Sequence, residues 1–73
     1  MNKDQAIEKM IQRKVKGGCN EVLARRELNS LIADAGKYRA SGEVSLALDL
    51  EHNGFAASAK GAAKMASIVL PTA

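Results

Sequence analysis

Between residues 43 and 51 apolar and polar positions alternate. Val44, Leu46, Leu48 and Leu50 are separated by Ser45, Ala47 and Asp49, and Glu51 follows. A period of two places the four aliphatics on one face, the pattern of a half-buried strand. The run closes on Asn53-Gly54, a strong turn signal. The pattern predicts a strand over about 43–51.

The residues before it keep a helical period. Ile7, Met10, Ile11 and Val15 share one stripe and predict a helix over about 4–16, with Asp4 as N-cap. Gly17-Gly18 ends it after a basic last turn. Lys9, Arg13 and Lys16 fall together on the opposite face. Lys14 falls among the apolar residues, where its stem can lie along the stripe while the amine reaches water. A second helix is predicted over about 20–38, capped by Asn20. Ala24, Leu28, Leu31, Ile32, Ala35 and Tyr38 line one side, Leu23 lies outside that stripe, and Gly36 offers an earlier end.

The alanine-rich tail supports two readings. One is a loop over about 53–61 and a second strand over about 62–70, ending in the β-branched run before Pro71. The other is a helix over 55–66, favoured by alanine and opposed by Gly61. The first gives the expected fold class: a single α+β domain, residues 1–73, with two N-terminal helices followed by a β-hairpin. An isolated hairpin is marginal in water and its edges stay open. Hence a homo-oligomer is expected, with Val44, Leu46, Leu48 and Leu50 as the self-association strand.

Composition adds weight to that expectation. Seventy-three residues make one small domain with a marginal core. Cys19 is the only cysteine, so no disulfide can form within the chain, and Cys19 and His52 are the whole supply of soft metal ligands. Neither metal nor cofactor is expected. The charged N-terminal stretch lacks an apolar signal core, and with the single cysteine this predicts a cytoplasmic protein.

Charge is uneven. Residues 1–40 carry nine Lys and Arg against five Asp and Glu, a net +4; residues 41–73 carry two against three, a net −1. The basic set Lys9, Arg13, Lys16, Arg25 and Arg26 is the candidate contact surface for nucleic acid or an acidic partner. Only Tyr38 and Phe55 could serve as stacking platforms for bases. Catalytic signals are weak. His52, the one histidine, sits in the turn signal; Asp49 and Glu51 share the polar face of the predicted strand but find no further ligands. Gly17-Gly18 before Asn20 reads as a helix-to-helix turn in preference to a phosphate-binding turn. No enzymatic activity is expected.

Residues from about Glu21 to Pro71, in particular "ELNSLIADAGKYRASGEVSLALDLEHNG" and the closing "IVLP", resemble a family of small uncharacterised proteins of tailed phages and prophages. Their layout is a Leu- and Ala-rich helix, a short connector, an amphipathic strand, a polar turn and a second strand ending in Leu-Pro. The alanine-rich 56–66 departs from the charged, alternating second strand of that layout. The resemblance implies a phage accessory protein acting inside the bacterial host cell. By analogy with small motif-free phage proteins, it implies one that binds and inhibits a host protein or ribonucleoprotein, such as a CRISPR–Cas defence complex. Direct nucleic-acid binding through the basic set and a role in virion assembly are the alternatives.

Overall fold

The computed structural model describes residues 1–37 and 39–70, with the backbone alone at residues 39 and 40. Among the described residues there are four helices: α1 (Lys3–Lys16), α2 (Glu21–Ala35), α3 (Arg39–His52) and α4 (Ala59–Val69). There is no strand among the described residues, so the expected β-hairpin and the α+β class are overturned in favour of an all-α fold. The helices close into a ring: α1 packs on α2, α2 on α3, α3 on α4, and α4 back on α1.

The N-terminal half follows its periodicity. The cap of α1 is Asn2, not Asp4. Its side chain accepts from the Gln5 amide and the Gln5 side chain accepts from the Asn2 amide, both at 2.9 Å, which satisfies two helix-end donors at once. Asp4 contributes negative charge to the first turn instead. Asn20 caps α2 as expected, accepting from Val22 and Leu23. That helix ends at Ala35 with Gly36 as its C-cap, short of the expected 38; Tyr38 lies outside the described residues. The Gly17-Gly18 pair is the helix-to-helix turn. Gly18 takes φ 103°, a left-handed conformation natural to glycine.

The alternating run is α3. An alternation of four positions is also two i, i+4 pairs set about 200° apart on a helix. Leu46 and Leu50 form one pair and are fully buried. Val44 and Leu48 form the other and stay 65% and 63% exposed. The self-association strand therefore does not exist as such, and half of its residues are spent in the chain's own core. Asn53-Gly54 is a turn, but one that ends a helix. Gly54 takes φ 82°, and the Phe55 and Ala56 amides return to the Leu50 carbonyl at 2.9 and 3.2 Å. A left-handed glycine after the last turn closes helices as readily as it turns hairpins.

The tail is helical from Ala59, later than the competing helix over 55–66. Ser58 is its cap, with Oγ accepting from the Gly61 amide at 3.1 Å. Ala62, Ala66 and Val69 recur at helical spacing and are buried. Alanine's low cost in a helix outweighs the β-branched Ile68-Val69 pair. Pro71 lies outside the described residues.

The core joins Met10 and Ile11 of α1, Leu28 of α2, Leu46 and Leu50 of α3, Val69 of α4, and Phe55 from the connector, each under 2% exposed. Five buried alanines fill the space between them. Side chains this small let helix backbones approach closely, which is how so short a chain builds a ring of four.

Candidate functional site: a basic groove between α1 and α4

The structure sorts the five basic residues into three groups. Lys9, Arg13 and Lys16 are exposed and stand on one face of α1 at i, i+4 and i+7 spacing. They form one side of a groove whose other side is the α3–α4 connector and the start of α4. Its accessible apolar lining is exposed Ala57 with half-buried Ala56 and Met65, over a floor formed by the buried Phe55. Among the described residues these three cations make no ion pair and no side-chain hydrogen bond.

Arg25 is withdrawn from that surface. Its guanidinium donates to both Glu8 oxygens, at 2.6 and 3.3 Å, and to Glu21 at 3.2 Å. The same contacts hold the Glu8 carboxyl below the ordinary carboxylate value, the hydrogen bond from Arg25 being the largest cause. They raise the Arg25 pKa as well. Arg25 thus ties α1 to α2. Arg26 is exposed on the outer face of α2, beside Val22, Asn29 and Ala33. It contributes nothing to the groove.

Lys14 holds the groove's far side in place. Its amine does not reach open water as expected but turns to partners within the protein, leaving the side chain 21% exposed. Nζ donates to the Asn53 carbonyl, sits 5.0 Å from the centre of the Phe55 ring and lies 4.0 Å from a Glu27 oxygen. An ammonium over an aromatic face is attracted by the ring's quadrupole. Three partners from α2 and the connector therefore converge on one α1 lysine. Asn53 is itself fixed by its own amide and its Nδ2, both donating to the Asp49 carbonyl at 2.9 Å.

The remaining candidates separate. His52 is exposed at the end of α3, Glu51 is exposed and Asp49 half-buried; two residues apart on a helix, the carboxylates no longer share a face. No group of three His, Cys, Asp or Glu among the described residues could hold a metal ion. No described helix is long and apolar enough to cross a membrane. Phe55, considered for base stacking, is 1% exposed and belongs to the core. The loop expected over about 53–61 is present at residues 53–58, but no period in the sequence marks that it folds back over α1 and completes the groove.

No known protein family, curated protein or solved structure matches the chain. The likeness to phage accessory proteins stands on the quoted residues alone, and the hairpin it implied is not found among the described residues.

Proposed function

We propose that this chain is a binding protein and not a catalyst, and that the groove between α1 and α4 engages an acidic, partly apolar surface of a protein partner. In the phage setting the resemblance implies, that partner is a host factor and the outcome is its blockade. The observation that carries the reading is the row Lys9, Arg13 and Lys16, free of internal partners and set beside an apolar lining. Unpaired cations beside apolar surface suit a carboxylate-bearing amphipathic segment, which gains burial and charge neutralisation together. Phosphates would satisfy the cations but leave the apolar lining unused, and no described aromatic side chain offers an exposed platform for bases.

The test is a titration of the folded protein with an acidic amphipathic helical peptide, and separately with single- and double-stranded DNA and RNA, at low and moderate salt. The protein-surface reading expects the peptide to bind and nucleic acid to bind more weakly. If the groove instead serves a duplex, three phosphate contacts give a log–log salt slope of about −2.7, an affinity loss of roughly forty-fold between about 50 and 200 mM salt. Tight duplex binding with that slope, and none to the peptide, overturns the proposal.

A further inference from the structure

The basic groove has a match elsewhere on the same chain. On the outer face of α3, Val44 and Leu48 are 65% and 63% exposed and stand one helical turn apart. Glu43 and Glu51 border them in a shallow depression completed by small residues, among them Ala47 and Ala63. This is an acidic amphipathic helix face of the kind the groove suits. The dimensions agree as well. Glu43 and Glu51 are eight residues apart, about 12 Å along α3, and Lys9 and Lys16 are seven apart, about 10 Å along α1. A helix laid in the groove can therefore set a carboxylate near each end of the cation row with the two aliphatics between them. The two surfaces flank opposite sides of α4: Gly61 and Met65 border the groove, Ala59 and Ala63 the α3 face.

We propose that a second copy of this chain docks the α3 face of Val44 and Leu48, bordered by Glu43 and Glu51, into the groove of Lys9, Arg13 and Lys16. The inference rests on the reading of that groove as a receptor for an acidic, apolar surface. It replaces the hairpin-to-sheet assembly expected from the sequence. Because donor face and groove are different surfaces, the contact is heterologous: copies join head to tail, into a ring if the rotation closes and a filament if it does not. The groove is then shared between a second copy and any acidic partner, and the two compete.

Two doubly substituted variants test it. Arg13→Glu with Lys16→Glu removes the groove and leaves the α3 face. Val44→Gln with Leu48→Gln removes the face and leaves the groove. All four positions are exposed, so both variants keep the helical circular dichroism of the parent. Sedimentation velocity should show the parent assembling with concentration, more weakly at high salt, and each variant at least ten-fold weaker alone. Mixed in equal amounts, the variants should form a dimer that grows no further, because each supplies the surface the other lacks. A parent that stays monomeric up to millimolar concentration, variants that do not complement, or a groove variant that still assembles would each overturn the proposal. Titrating the parent with the acidic peptide separates the two readings: a monomer that binds the peptide refutes the second copy alone, and a monomer that does not refutes both.

Discussion

Replacing Leu50 by alanine and, separately, Leu48 by alanine distinguishes the helix from the strand that the alternation suggests. In α3, Leu50 is fully buried and Leu48 is 63% exposed. Truncating a buried leucine loses its transfer free energy and leaves a cavity, about 2–5 kcal/mol together. Truncating an exposed one away from special features stays within roughly 0.5 kcal/mol. A domain of this size has a total stability of only about 4–11 kcal/mol, so Leu50→Ala removes a large share and Leu48→Ala almost none. The assay is urea denaturation followed by far-ultraviolet circular dichroism, at a concentration low enough to keep the chain monomeric. With a slope of about 1 kcal/mol per molar urea, Leu50→Ala lowers the midpoint by about 2 M or more, or unfolds the chain outright. Leu46→Ala should behave like Leu50→Ala, and Val44→Ala like Leu48→Ala. In a strand the four share one face, so comparable losses at all four positions would refute the helical assignment.

Three further outcomes are expected. Lys14→Met keeps the apolar stem but strands the Asn53 carbonyl and removes the ammonium from the Phe55 ring; it should cost about 1–3 kcal/mol by thermal or urea denaturation. Gly54→Ala places a side chain at φ 82°, while its added carbon meets only the Lys14 chain at 3.9 Å, so the cost is conformational, about 1–2 kcal/mol in the same assay. The Glu8 pKa is lowered in the folded state, so its contribution to stability is present above about pH 4.5 and is lost as the pH falls through the folded value; Glu8→Gln should flatten that part of the acid limb in a series of thermal melts against pH.

The parts legible in the sequence are those where one signal dominates. In α1 and α2 the apolar period, Asn20 as cap and Gly17 as stop all agree. The α3 run fails because its four aliphatics fit both periods, and its Asn-Gly end fits both terminations. What separates the two structures is which pair faces the core, and only packing decides that. In α4 the helical signal was present, in Ser58 followed by alanine-rich sequence, but the β-branched run near Pro71 competed with it. The candidate site divides the same way. That Lys9, Arg13 and Lys16 share a face follows from helical spacing. The Arg25–Glu21 pair follows from the same spacing, but the closer contact of Arg25 with Glu8 does not, since Glu8 lies seventeen residues away.

The proposed groove is tested most directly by affinity for the acidic amphipathic peptide in two variants, Lys9→Glu with Arg13→Glu, and Arg26→Glu alone. Reversing the groove cations should weaken binding at least ten-fold, equivalent to about 1.4 kcal/mol. Reversing Arg26, exposed on the outer face of α2, should leave the affinity within about two-fold, because a charge beyond the groove is screened by salt. Equal losses in the two variants, or a loss confined to Arg26→Glu, would contradict the assignment of the groove as the binding site.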